Sequence, residues 1–126
     1  MRFFILFLLS FQIVAQDVNW INNTPLIRSY SSPRTTDLNN DGIDDVIIGG
    51  GVDGYPTPYG VIAINGFNGN TLWTMTTRNE MFTSPQFFDF TEDNINDVLI
   101  GGRDAELRLI DGSNGELIWE FWDSED

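Results

Sequence analysis

The sequence contains no cysteine, no histidine and no lysine in its 126 residues. Without cysteine there are no disulfide bonds and no thiol nucleophile, and without histidine there is no imidazole zinc ligand and no Ser–His catalytic relay. Only arginine supplies positive charge, and 19 acidic residues bring the formal charge to −13. Because so acidic a chain repels nucleic acid and anionic membranes and attracts divalent cations, we expect no nucleic-acid partner.

Long apolar runs are also scarce, and the one present lies at the N-terminus between Phe3 and Val14, after Arg2 and before Ala15. This pattern predicts a secretory signal peptide over residues 1–15. The alternative is a transmembrane anchor, but the run is shorter than the ~20 apolar residues that span a bilayer. No second run follows, so we predict no membrane span in the mature chain and a secreted or extracytoplasmic location, in the periplasm or at the cell surface.

The remainder of the chain repeats itself. Residues 32–50 align with residues 84–102 at an offset of 52, and residues 61–75 align with residues 107–121 at an offset of 46. The difference lies in one place, where GVDGYPTPYG in the first unit replaces RDAE in the second. A loop between matched strands tolerates such an insertion.

Each unit carries four short strand signals, rich in β-branched residues and bounded by Gly, Asn and Asp. The strands are predicted at residues 33–38, 45–50, 61–65 and 71–76, and at residues 85–90, 97–102, 106–111 and 116–121. The fold class is therefore all-β, and this repeat period is typical of β-propeller blades. We predict a first blade over residues 32–83 and a second over residues 84–126.

Residues 16–31 are predicted to form an N-terminal strand and linker. Trp20 precedes Pro33 by 13 residues, much as Trp73 precedes Pro85 by 12. An irregular tail is the alternative. Because propellers have about four to eight blades, the remaining blades are expected from a longer chain or from a homo-oligomer.

An acidic loop of the form D-x-N-x-D-G-x-x-D precedes the second strand of the first unit. Alternate positions direct oxygen-bearing side chains towards one centre, and such hard ligands in a flexible loop suit Ca²⁺. An EF-hand is disfavoured, because its twelfth position here holds Ile48 and a strand follows. The predicted ligands are the side chains of Asp37, Asn39, Asp41 and Asp45 and the carbonyl oxygen of Ile43; the alternative is an acidic turn that water alone solvates.

The second unit carries a weaker copy of this loop. Threonine replaces the middle ligand, and Asn94 replaces the glycine of the bend. Asparagine tolerates the left-handed backbone that the bend requires. The predicted ligands are the side chains of Asp89, Thr91, Asp93 and Asp97 and the carbonyl oxygen of Ile95.

The segments DLNNDGIDDVIIGG and DFTEDNINDVLIGG resemble the calcium-binding FG-GAP or VCBS repeats of integrin-alpha-type propellers. The segments AINGFNGNTLW and LIDGSNGELIW are similar to the tryptophan-docking motif of quinoprotein-type propellers. This second resemblance implies that Trp73 and Trp119 pack between neighbouring blades. Asn65 and Leu109 depart from the aspartate and alanine usual in that motif. Together the resemblances cover residues 32–121.

These resemblances imply an adhesion or recognition module for a protein or a carbohydrate, with Ca²⁺ as its cofactor. In a four-stranded blade the insertion lies on the face opposite the calcium loops, where it would project Asp53, Tyr55 and Tyr59; an ordinary hairpin stiffened by proline and glycine is the alternative. The alternative is part of a propeller enzyme, a quinoprotein-like dehydrogenase or a polysaccharide lyase, whose catalytic residues lie outside this chain. Within the chain we predict no catalytic residue, because histidine and lysine bases are absent. A periplasmic or outer-membrane assembly scaffold would share the tryptophan motif but would not explain the acidic loops.

Overall fold

Two antiparallel sheets, each built from four consecutive strands, form the regular structure of the computed structural model, which describes residues 20–24 and 28–123. Sheet 1 has the order β1-β2-β3-β4, and sheet 2 has the order β5-β6-β7-β8. The described residues contain no helix. The predicted all-β class is confirmed. The strands are β1 Arg34–Thr36, β2 Asp45–Gly49, β3 Thr57–Ile64, β4 Thr71–Thr77, β5 Gln86–Phe88, β6 Asp97–Gly101, β7 Leu107–Ile110 and β8 Leu117–Phe121.

The largest departure from the predicted strands is the start of β3, which begins at Thr57 rather than at residue 61. Part of the insertion therefore lengthens the β3–β4 hairpin, and Thr57 pairs with Thr77 before an irregularity in the ladder. Gly60 makes this possible, because a Cβ at that position would overlap the side chain of Thr77. The sequence predicted a loop over residues 56–60, because proline and glycine are typical of turns.

The N-terminal predictions are only partly covered. The signal peptide over residues 1–15 lies outside the described residues, as do residues 16–19 and 25–27 of the predicted N-terminal strand and linker. Residues 20–24 lie beside sheet 1 but form no strand. Arg28 makes an isolated antiparallel β-bridge with Gly51. None of the described residues belongs to a helix that is long and apolar enough to cross a membrane.

The hydrophobic core lies between the two sheets, because alternate residues of each strand point to opposite faces. One continuous cluster joins both sheets. Sheet 1 contributes Leu38, Ile47, Val61, Ala63, Trp73 and Met75, and sheet 2 with its preceding linker contributes Met81, Val98, Ile100 and Ile110. The sheets therefore stack face to face, and the two remaining faces point away from this core.

Antiparallel connection of neighbouring strands divides the loops between two ends of the stack. The β1–β2 and β5–β6 loops and the β3–β4 and β7–β8 turns lie at one end, which we name the acidic end. The β2–β3 and β6–β7 loops and the linker 78–85 lie at the other, which we name the linker end. The acidic loops and the insertion thus occupy opposite ends, as predicted.

Candidate metal centre

The first acidic loop is organised around the carboxylate of Asp37. Its Oδ1 accepts hydrogen bonds from the backbone N–H groups of Asn39 (3.2 Å) and Asp41 (3.3 Å), and its Oδ2 accepts one from Gly42 (2.9 Å). Two left-handed residues close the turn, Asn40 at φ 61° and Gly42 at φ 83°. Asparagine and glycine are the residues that adopt this conformation at least cost, so the local sequence specifies the bend.

The side chains of Asn39 and Asp41 continue the same pattern. The N–H of Asp41 donates both to Asp37 and to Asn39 Oδ1 (3.0 Å), which brings these two predicted ligand oxygens to one point. Asp41 Oδ1 in turn accepts from the N–H of Ile43 (2.8 Å). Asn39, Asp41 and Ile43 are exposed, so this part of the loop presents its oxygens to solvent.

Asp45 lies beneath the loop and is fully buried. Its Oδ2 accepts from the N–H of Leu38 (2.9 Å) and its Oδ1 from the N–H of Gly66 (3.0 Å), so it ties the loop to the β3–β4 turn. Each oxygen keeps one lone pair for a further partner. The sequence predicted a ligand here and missed this clamp, because Gly66 is 21 residues away.

The electrostatics of the two aspartates differ. Burial raises the pKa of Asp45; the hydrogen bonds from Gly66 and Leu38 lower it in part, and the nearby carboxylates of Asp41 and Asp37 raise it further. At Asp37 partial desolvation raises the pKa, but backbone hydrogen bonds led by that of Gly42 outweigh it, so the pKa lies below its ordinary value of 3.8. Asp37 is therefore ionised at neutral pH.

The second acidic loop repeats this hydrogen-bonded skeleton. Asp89 accepts from the N–H groups of Asp93 (3.2 Å) and Asn94 (2.9 Å), and Asp93 accepts from Ile95 (2.8 Å). Asn94 has φ 70°, which confirms that asparagine replaces the glycine of the bend. The buried Asp97 is again the clamp. It accepts from the N–H groups of Phe90, Thr91 and Gly112.

The two loops differ at the middle predicted ligand. In the first loop the Asn39 side chain accepts from the backbone of Asp41. Thr91 makes no equivalent side-chain bond, and its backbone N–H is directed to Asp97. Glu92 adopts φ 61°, the left-handed conformation that Asn40 adopts in the first loop. The second loop therefore has one side-chain oxygen fewer in the pattern and a less favourable residue in its turn.

The acidic loops lack ionic partners among the described residues. The salt bridges there use Arg78, Arg103 and Arg108, and all of their acidic partners lie outside the two loops. No three acidic side chains of the described chain converge as a preassembled metal-binding group. The loop chemistry is nevertheless that of a hard-cation site: carboxylate and amide oxygens on an exposed turn, with no thiol or imidazole.

The linker end carries a second candidate surface, on the insertion. Arg103 pairs with Asp53 (3.1 Å) and with the buried Glu80 (2.9 Å), so the insertion is fastened to the linker. Tyr55 is 67% exposed near the tip. Tyr59 does not project from this loop, because it belongs to β3 and is half-buried.

Two tryptophans, Trp20 and Trp73, bind the last hairpin turn of the sheet that follows them in the chain. The indole N–H of Trp73 donates to the carbonyl of Gly112 (2.8 Å), and its ring lies against Gly115, where a Cβ would come within 2.7 Å of it. Trp20 binds the β3–β4 turn in the same way, donating to the carbonyl of Gly66 (2.9 Å). Trp119 occupies the position of Trp73 on sheet 2, is 39% exposed and makes no such bond to a described residue.

A buried ion network between the sheets was not predicted. Arg108 lies 7% exposed, donates to the carbonyl of Thr76 (3.0 Å) and binds Glu106 Oε1 through its Nε (2.6 Å). The other oxygen of Glu106 is buried without a partner among the described residues. Repeat alignment gave no signal, because Ile62 occupies the position of Arg108 in the first unit.

No protein-family model, no curated protein and no solved structure matches this chain.

Proposed function

We propose that this protein is an exported, calcium-binding β-propeller repeat protein that acts as an adhesion or recognition module for a protein or a carbohydrate. The observation that carries the proposal is the pair of acidic loops. Both loops have the same pattern of hydrogen bonds from backbone N–H groups to aspartate side chains, and none of their acidic residues forms a salt bridge within the described chain. Carboxylates this close repel one another unless water or a cation compensates them.

The calcium part of the proposal rests on the donor set. The half-buried Asp37 and the exposed Asn39 and Asp41 offer oxygens in the first loop, with the carbonyl of Ile43 and the clamp Asp45 completing the predicted set. The bound ion would supply the positive charge that the loop lacks and would link the loop to sheet 1. It would thereby contribute rigidity that the chain cannot obtain from disulfides.

The propeller part rests on how the sheets stack. Each sheet is a four-stranded meander, and Trp73 fastens sheet 1 to the β7–β8 turn of sheet 2. Trp20 meets the β3–β4 turn of sheet 1 as though it belonged to a preceding sheet. A stack that grows by one repeated contact is the way in which propeller blades are arranged around an axis.

The recognition part rests on the insertion at the linker end. Asn79 Oδ1 accepts from the N–H of Gly54 (2.8 Å), and Arg103 holds Asp53, so the loop is fixed on two sides. An exposed tyrosine, Tyr55, on a fixed loop loses little conformational entropy on binding a sugar or a protein. The binding surface would lie at the opposite end from the cation, so calcium would stabilise the module without contacting its ligand.

Thermal unfolding of the exported protein tests the calcium proposal. Ca²⁺ at about 100 times its dissociation constant stabilises by about 2.7 kcal/mol, which corresponds to a rise in Tm of roughly 10 °C or more over the chelated protein. Mg²⁺ is expected to restore little of this rise. Asp41→Ala should reduce the calcium-dependent shift, whereas Asp44→Ala removes a charge from the same loop outside the predicted ligands. The proposal fails if chelation leaves Tm unchanged, or if both variants reduce the shift equally.

Glycan-array binding tests the recognition proposal separately. Wild-type protein is expected to bind a defined set of glycans, or a protein ligand in a parallel panel of extracellular proteins, and Tyr55→Ala is expected to lose that binding with an unchanged Tm. Retention of every bound ligand by Tyr55→Ala would remove the insertion from the proposed surface.

A further inference from the structure

Sheet 2 exposes a large apolar surface on the side that faces away from sheet 1. We name this surface the open face. Its large hydrophobic side chains are between 39 and 57% exposed. They are Phe88, Phe90, Trp119 and Phe121. Contiguous apolar surface of this kind marks an interaction site in a soluble protein.

The equivalent surface of sheet 1 shows what this face is built to contact. At the positions of Phe90, Trp119 and Phe121, sheet 1 has Leu38, Trp73 and Met75, and all three are buried against sheet 2. The open face therefore repeats a surface that buries itself on a neighbouring sheet, with larger side chains at two of the three positions. Its natural partner is another four-stranded sheet with an acceptor turn for Trp119.

The chain contains a suitable acceptor in the turn between β3 and β4. Gly66 and Gly69 of this turn are equivalent to Gly112 and Gly115, which contact the indole of Trp73 in sheet 2. In the structure the indole of Trp20 occupies the corresponding place against Gly66 and Gly69. Trp20 arrives on a segment that forms no strand, whereas Trp119 belongs to a strand in a four-stranded ladder. The turn is therefore occupied by a tryptophan that lies outside any strand among residues 20–24, on a segment that is also fastened by a hydrogen bond from Asn22 Nδ2 to the carbonyl of Gly69 (2.8 Å).

We name the face of sheet 1 that points away from sheet 2 the outer face. It carries no charged residue at the two positions where sheet 2 presents charged residues to sheet 1. Sheet 2 presents Arg108 and Glu120 to sheet 1, and the equivalent positions of the outer face hold Ile62 and Thr74. The half-buried Val46, Ile48 and Ile64 lie on the same face. At these central positions the packing of the open face on the outer face therefore buries no charge, and the one carboxylate that it brings against an apolar side chain is the exposed Asp44, at the edge of the contact.

We propose that the open face of one copy of this chain docks on the outer face of sheet 1 of a second copy, and that Trp119 then replaces Trp20 in the β3–β4 turn. The segment 20–24 is thus an intramolecular competitor that limits self-association. The contact is head to tail, so repeated copies close into a ring or extend as a filament. The inference rests on the stacking of the sheets and not on calcium or on ligand binding.

Cysteine cross-linking tests the geometry, because the chain has no cysteine of its own. Across the core interface Asn96 Nδ2 donates to Thr36 Oγ1 (2.8 Å), and the equivalent pair between copies is Asp44 with Phe88. The Asp44→Cys and Phe88→Cys proteins, mixed and oxidised, are expected to give a mixed disulfide dimer. The control replaces Phe88→Cys by Tyr55→Cys, at the linker end. Absence of the mixed dimer, or equal yields with the control, overturns the proposal.

Sedimentation velocity tests whether residues 20–24 compete with a second copy for the β3–β4 turn. Trp119→Ala is expected to weaken self-association about thirtyfold, as for loss of a central interface tryptophan. Trp20→Ala removes the competitor and is expected to strengthen self-association about tenfold. Both results are expected with calcium and with chelator, so that failure of the calcium proposal leaves this one standing. Monomers under all conditions, or association that is unaffected by Trp119→Ala, would overturn the docking proposal. The cysteine cross-link tests the same contact in proteins that keep both tryptophans.

Discussion

Replacement of Trp73 and of Trp119, one at a time, separates a buried inter-sheet contact from an exposed copy of it within one chain. Trp73 is 8% exposed and Trp119 is 39% exposed, although they hold equivalent positions on β4 and β8. Truncation of a buried tryptophan to alanine costs about 3–5 kcal/mol. Trp73→Ala also leaves the carbonyl of Gly112 without its indole partner, at a further cost of about 1 kcal/mol or more.

Trp73→Ala is therefore expected to remove about 4–6 kcal/mol from the free energy of unfolding, a large part of the roughly 5–15 kcal/mol that a domain has. Trp119→Ala is expected to cost about half of that or less, because it buries less area and breaks no hydrogen bond to the described residues. Trp73→Phe keeps most of the ring contact and should cost about 1–2 kcal/mol, mainly through the lost hydrogen bond.

Urea unfolding followed by circular dichroism gives these differences, at protein concentrations low enough for the wild type to be monomeric. The ratio of the two alanine variants is the informative quantity, because both lose the same side chain from the same kind of strand. If Trp119→Ala costs as much as Trp73→Ala, or if Trp73→Phe costs as much as Trp73→Ala, the docking contact does not hold the two sheets together.

Three further predictions concern the loops and the ion pairs. Asp93→Ala should reduce the calcium-dependent rise in Tm less than Asp41→Ala does, and a larger reduction would reverse the proposed order of the two loops. Ala105→Gly should raise the free energy of unfolding by about 1 kcal/mol in urea titrations, because Ala105 adopts φ 50°; a loss of stability would contradict that turn geometry. The hydrogen bond from Arg78 lowers the pKa of Glu120, so this pair stabilises the fold above the ordinary value of 4.5 and loses that effect as pH falls through the lowered pKa. Arg78→Ala should cost about 0.5 kcal/mol at pH 7, the pair being partly exposed, and the difference from wild type should shrink at pH 3.

Repetition made most of this fold predictable from the sequence. A strand signal that recurs at the same offset is stronger than either occurrence alone, so every strand boundary but one was placed within two residues. The exception was the start of β3, where the insertion has no counterpart in the second unit and its Pro58 and Gly60 favour a turn. These residues lengthen the hairpin by pairing with the end of β4, and no local sequence pattern indicates that pairing.

The candidate site was predictable where its contacts are local and not where they are tertiary. The pattern of Asp37, Asn39 and Asp41 specifies its own turn, because each side chain accepts from a backbone N–H two to five residues later. The clamp by Asp45 depends on Gly66 in another hairpin, which no local pattern reports. The same holds for Arg108, whose partners come from both sheets and whose position in the other unit is apolar.

Calcium binding by the acidic loops is tested most directly by a calorimetric titration of the protein after removal of bound metal. We expect two calcium ions per chain, the tighter at the loop of Asp41 and the weaker at the loop of Asp93, and we expect Asp41→Ala to abolish the tighter site. Mg²⁺ should produce little heat under the same conditions. A titration with no heat of calcium binding and no change in Tm, or binding that persists unchanged when both Asp41 and Asp93 are replaced by alanine, would contradict the account.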